Sequence, residues 1–126
     1  MAKLRILVVD DEPEVLRFVA GVLERAEYEV APADGARQAL AIIADADPFD
    51  LVVSDVVMPE MCGPELVKEI RARSPSSAIM FISGCVPVGQ LPRGFPYLGK
   101  PFSPRDLLTA VGRVLTTALD RHPTEH

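Results

Sequence analysis

Hydrophobic positions along the chain alternate between unbroken runs and helical spacing. Leu4-Arg5-Ile6-Leu7-Val8-Val9 is nearly continuous in apolar residues, too short for a helix, and predicts a first strand. Pro13 suits a first helical position, and Val15, Phe18, Val19, Val22 and Ala26 recur on one helical face. Tyr28–Val30 predicts a short second strand. Asp34 is placed to cap the next helix, in which Ala36, Ala39, Leu40 and Ile43 face inward. Asp47-Pro48 breaks that helix before a third strand at Leu51–Ser54. Pro59, Gly63 and Pro64 mark a loop and a helix start, with Leu66, Val67 and Ile70 as the apolar stripe. Ser74-Pro75 ends it, and Ala78–Ile82 predicts strand four.

The rhythm fails after Ser83. Only 17 positions separate Ser83 from Lys100, and into them fall Pro87, Pro92 and Pro96 with Gly84, Gly89 and Gly94. Each proline lacks a donor and disfavours helix in the residue before it. Val86, Val88 and Leu91 form no stripe, so a helix here is expected to be missing or cut to about one turn. A short fifth strand follows around Tyr97-Leu98. Ser103-Pro104-Arg105-Asp106 has the form of a capping box and opens a last helix. Its stripe is Leu107, Leu108, Val111, Val114, Leu115 and Ala118.

Five strands alternating with helices predict an α/β fold, a doubly wound parallel sheet covered on both faces. Ligands of such sheets bind beyond the carboxyl ends of the strands. Asp10 and Asp11 follow strand one, Asp55 follows strand three, Ser83 strand four and Lys100 strand five. Three carboxylates crowded together resist ionisation unless a cation sits among them. That calls for a divalent metal, while Asp55 with Lys100 calls for an anion beside it. Metal, carboxylate, lysine and phosphate make a phosphoryl-transfer site.

Composition narrows the classes further. At 126 residues and 48% hydrophobic, the chain makes one domain over 1–120, with 121–126 a polar tail. No apolar stretch is long enough to span a bilayer, so no membrane insertion is expected. The first strand begins at once, which leaves no room for a signal peptide. Cys62 and Cys85 lack metal-type spacing and read as free thiols of a reducing, cytoplasmic setting. A net charge of −5 without a basic cluster argues against nucleic acid as a partner.

Four pieces carry a family resemblance: Val8-Val9-Asp10-Asp11-Glu12-Pro13, Ser54-Asp55-Val56-Val57-Met58-Pro59-Glu60-Met61-Cys62-Gly63, Phe81-Ile82-Ser83-Gly84 and Tyr97-Leu98-Gly99-Lys100-Pro101-Phe102. In this order and spacing the chain resembles the receiver domain of bacterial two-component response regulators. The flavodoxin-like strand order 2-1-3-4-5 is implied by that resemblance. So is a cis bond at Lys100-Pro101. By the same resemblance Asp55 accepts a phosphoryl group from a phosphohistidine, the partner being a sensor histidine kinase or a histidine phosphotransfer protein. Asp11, Asp55 and the backbone carbonyl of Val57 would hold Mg²⁺, with Asp10 acting through a bound water. Lys100 would pair with a phosphoryl oxygen, Ser83 would hydrogen-bond another, and Ser83 and Tyr97 would be switch residues. Ile82-Ser83-Gly84 and the proline-rich stretch look more like receivers attached to hybrid sensor kinases. The reading is a switch rather than a metabolic enzyme, and a monomer, since the face built on the shortened helix should lack its usual form.

Other readings of the same residues are blander. Asp10 and Asp11 are possible caps for the first helix, Lys100 a turn lysine, Ser83-Gly84 a turn, and Tyr97 a packing residue. A small Mg²⁺-dependent phosphohydrolase also uses an aspartate nucleophile, but it places a second acid two residues on, where Val57 stands. A flavin carrier of this fold would have its phosphate repelled by the acids. Val57 and Cys85, the latter two after Ser83, are apolar or poor at orienting water, so a long-lived acyl phosphate is expected.

Overall fold

The computed structural model describes residues 3–84 and 93–121, with side chains described to Ala118. Five parallel strands form one sheet in the order β2-β1-β3-β4-β5. In chain order these are β1 (Arg5–Val9), α1 (Pro13–Arg25), β2 (Glu29–Ala33), α2 (Ala36–Asp45), β3 (Leu51–Asp55), α3 (Gly63–Arg73), β4 (Ala78–Ser83), β5 (Tyr97–Gly99) and α4 (Pro104–Arg121). The helix expected to be missing or shortened between Gly84 and Pro96 falls largely on 85–92, which lie outside the described residues. Among the described residues no helix stands between β4 and β5.

Strand side chains alternate between two cores, as the pleat requires. Leu7, Val9, Val52 and Phe81 face α2 and α3, meeting Ala39, Ile43, Leu66 and Ile70. Ile6, Val8, Val53 and Ile82 face α1 and α4, meeting Val19, Leu23, Leu107 and Val111. Both faces are therefore dry, which explains why the central strands read as continuous apolar runs. The sheet's edges are its weakest strands. β2 contains Pro32, and β5 has three residues between Pro96 and Pro101.

Several sequence expectations need correcting. In α1 the buried positions are Val19, Ala20, Val22 and Leu23, whereas Phe18 is 39% exposed and Ala26 lies outside the helix on the surface. Val15, Val19 and Val22 do pack on the expected face, joined there by Leu23. Asp34 does not cap α2. The N-cap falls one residue later, on Gly35, which has no side chain to bond there, while the Asp34 backbone N–H donates to Gln38 Oε1 at 2.6 Å. The capping box of α4 is present in both directions, Asp106 N–H to Ser103 Oγ at 3.0 Å and Ser103 N–H to Asp106 Oδ2 at 3.1 Å.

Candidate functional site

Parallel pairing brings the ends of β1, β3, β4 and β5 to one edge. Val9 pairs with Ser54 and Asp55 with Ile82, so Asp55 lies one position short of Ser83 on the neighbouring strand. Ser83 in turn pairs with Gly99, and the Lys100 N–H donates to the Ser83 carbonyl at 2.7 Å. The register thus carries Asp10, Asp55, Ser83 and Lys100 to adjacent strand ends. Asp10 is fully buried, Asp55 is 6% exposed and Ser83 4%. Asp11, half-buried, completes a group in which Asp10, Asp11 and Asp55 each present an oxygen within 4.8 Å of the others.

Lys100 reaches all the deeper acids but favours none of them. Its Nζ lies 3.2 Å from Asp10 Oδ2 and 3.5 Å from Asp55 Oδ2. The shortest contact, 2.8 Å, goes to Glu12 Oε1 at the rim. Lys100-Pro101 is cis. Asp10 is anchored from the other side, its Oδ1 accepting the Glu12 N–H at 2.8 Å. The N-cap of α1 is Glu12, whose own side chain makes no cap hydrogen bond, and Asp10 meets only the Glu12 N–H, ahead of the first helical turn. The capping alternative is thereby removed.

Asp10 Oδ2 is buried without a hydrogen-bond partner; the lysine nitrogen is near but badly aimed for a hydrogen bond. Burial pushes the Asp10 carboxyl above its ordinary range, only partly opposed by the Glu12 N–H and by Lys100. Asp55 is also pushed up, first by burial and then by the charge of Asp10, with Lys100 and a Val57 backbone hydrogen bond acting against both. Burial alone would lower the Lys100 ammonium, yet its hydrogen bond to Glu12 and the charges of Asp55 and Asp10 raise it overall. A buried, unsatisfied oxygen among carboxylates that resist ionisation is the donor set of a hard cation. The residues present fit a Mg²⁺ ion.

The β3–α3 loop is held tightly against β3 and β4. A Cβ on Gly63 would stand 2.5 Å from the Asp55 carbonyl oxygen and 2.9 Å from the Phe81 ring. Only glycine lets α3 begin there, and the Gly63 N–H donates to the Val56 carbonyl at 2.8 Å. Cys62 is no bystander in this loop: its N–H donates to Glu65 Oε1 at 3.3 Å, and Sγ lies 3.3 Å from the same oxygen. Cys85 lies outside the described residues. Val57 is 62% exposed and Tyr97 53%, so Tyr97 is not a core residue here. Glu12 is the site residue that sequence reasoning missed. The only signal was its place after the paired aspartates, on the strand-one edge that Lys100 was expected to reach.

Residues 6–112 match the family model described as the response regulator receiver domain. The chain is 36% identical to the response regulator receiver protein CpdR of Brucella abortus, over 90% of this chain and 98% of that protein. It is 38% identical to the sensor kinase CckA of the same organism, over 87% of this chain but only 12% of the kinase. Among solved structures, a receiver domain protein from Methanospirillum hungatei superposes with a TM-score of 0.86 at 30% identity, covering 95% of this chain and 99% of that one. The chemotaxis protein CheY4 of Vibrio cholerae gives 0.80 at 34% identity, covering 90% and 99%.

Proposed function

We propose, from the premise that the chain belongs to the response regulator receiver family, that Asp55 is the residue on which its phospho-accepting role rests. The observation that carries this is the gathering of a nearly buried Asp55 with Lys100, Asp10 and Asp11 at one sheet edge. An Asp55 carboxylate oxygen attacks the phosphorus of a phosphohistidine. A phosphorus–oxygen bond forms, the phosphorus–nitrogen bond breaks, and the imidazole nitrogen leaves with the bonding pair. Little covalent help is needed beyond alignment and neutralisation of spreading charge. Lys100 pairs with a phosphoryl oxygen, and the Ser83 hydroxyl offers a hydrogen bond to another. Asp11, Asp55 and the Val57 carbonyl would hold Mg²⁺, with Asp10 behind a bound water. When bound, the ion supplies positive charge to the carboxylates and to the phosphoryl oxygens. Ser83 and Tyr97 are the residues proposed to register the change.

The donor is a sensor histidine kinase or a histidine phosphotransfer protein. Beside the site an apolar cleft of about 360 Å³ runs between α1 and the β5–α4 loop, lined by Glu14, Val15, Phe18, Lys100, Pro101 and Phe102. Phe18 and Phe102 face each other at 6.1 Å there, a surface suited to a partner's helix. A phosphohydrolase is the weaker reading, because exposed Val57 offers no general acid. No helix among the described residues is long and apolar enough to cross a membrane. The test is incubation with acetyl phosphate and Mg²⁺, followed by intact-mass measurement. The parent should gain one phosphoryl group and Asp55→Asn none; equal gain by both would transfer the role to another residue.

A further inference from the structure

Lys100 faces more carboxylates than it can serve, and the one it holds most closely is not the acceptor. Glu12 Oε1 is 2.8 Å from Nζ, against 3.2 Å for Asp10 and 3.5 Å for Asp55. The Glu12 side chain is 59% exposed, while that of Lys100 is 17% and that of Asp55 8%. The lysine is therefore drawn outward, to the solvent rim. Glu12 is also firmly placed: Asp10 Oδ1 accepts its N–H at 2.8 Å, and its carbonyl accepts the Leu16 N–H at 3.0 Å as α1 begins. The backbone that carries Glu12 is thus fixed to the same aspartate that lies beneath the lysine.

We infer that Glu12 is a positioning residue: it holds Lys100 at the rim while Asp55 is unmodified and gives it up when a phosphoryl group arrives. The inference rests on the assignment of Asp55 and Lys100 above. A carboxylate carries one negative charge, whereas a phosphoryl group approaches two and adds strong acceptor oxygens. A pair with one well-exposed partner is weak, because water competes for Glu12 and its long side chain loses freedom in making the contact. A partly buried lysine meeting a phosphoryl oxygen makes a shorter, charge-assisted bond. Between these the lysine transfers inward, and Glu12 is returned to solvent. The chain's resting contact therefore acts as a brake on phosphorylation and as a counterweight when the group is lost.

The reaction that reads this is transfer from acetyl phosphate with Mg²⁺. A phosphorus–oxygen bond to Asp55 forms, the phosphorus–oxygen bond to the acetyl group breaks, and acetate leaves with the electron pair. Glu12→Gln should raise the second-order rate constant roughly two- to five-fold, the range expected for a pair with one well-exposed partner. Glu12→Asp keeps the charge but is one methylene too short to span the gap, so it should behave like Gln. In a Lys100→Ala background neither change should matter. If Glu12→Asp matches the parent while Glu12→Gln is faster, Glu12 merely repels the anionic donor and the inference fails. It also fails if Glu12→Gln matches the parent, or if its effect survives in Lys100→Ala. A parent that takes up no phosphoryl group at all would instead remove the Asp55 assignment, and this inference with it.

Discussion

At the amino end of the sheet, Ser77 Oγ donates to the Phe49 carbonyl at 2.6 Å and lies 2.8 Å from Ser74 Oγ, all of it buried. Arg5 there bonds the carbonyls of Asp47 and Pro48, pairs with Glu29 and stacks 4.4 Å over the Phe49 ring. At the carboxyl end, Asp10 Oδ2 is buried without a hydrogen bond, two carboxyls are pushed up by burial, and one lysine is shared three ways. Both ends belong to the same sheet and flank the same cores. The amino end satisfies its buried polar groups, whereas the carboxyl end leaves them strained, as the proposed cation and anion site there would require. Unsatisfied polar groups are costly when buried, so they persist at the end where a ligand completes them.

The comparison breaks most sharply at Asp11. Asp11→Ala removes a proposed Mg²⁺ ligand without removing Asp55, the proposed acceptor. Mg²⁺-dependent phosphorylation should fall on the order of 100-fold, with little change in urea midpoint. A variant that phosphorylates like the parent would refute the assigned metal ligands. Ser77→Ala tests the other end. It strands the Phe49 carbonyl and should cost about 2 kcal/mol in denaturant unfolding, leaving the phosphorylation rate of the folded protein unchanged.

Asp10→Asn should do the reverse of Ser77→Ala. With one fewer buried charge, the metal-free protein should gain about 1 kcal/mol while Mg²⁺ stabilises it less than the parent. A loss of stability without metal would mean that the Asp10–Lys100 attraction outweighs the desolvation. The smallest effect is in the pH profile. Asp10 and Asp55 both have folded pKa values raised above 3.8. Their contribution to stability is therefore full below that pH and is lost as pH rises through the folded values. Subtracting the profile of an Asp10→Asn, Asp55→Asn double variant should leave a metal-free difference that declines with pH over that window. In saturating Mg²⁺ the decline should vanish, because the ion favours the ionised forms.

Most of this was legible in the sequence because it is a matter of period and strand ends. The five apolar runs locate the strands, and Asp10, Asp11, Asp55, Ser83 and Lys100 converge because parallel strands end together. The Ser103–Asp106 box was readable since both partners are local. What escaped reading depends on side chains meeting across elements. Glu12 carried no signal of its own in the sequence, and only the reach of Lys100 from the end of β5 makes it a partner. Phe18 fits a helical stripe, but its position faces the open cleft beside Phe102 rather than the sheet. Asp34 has the chemistry of a cap, yet the N-cap position falls one residue later, on Gly35. Gly63 was read as a loop breaker, and its contact with the Asp55 carbonyl is a three-dimensional constraint.

The prolines at the borders of the sheet bear on colloidal behaviour. Open strands offer rows of unpaired backbone groups on which a second chain can grow. Here β2 carries Pro32, which is tolerated in a sheet where its missing donor faces solvent. β5 is three residues long and closed on both sides by Pro96 and Pro101. Neither border offers a long, donor-rich template for cross-strand growth. A chain with 48% hydrophobic residues is thereby guarded against fibrillar association along its own sheet, and the apolar faces it does expose are left for selective encounters.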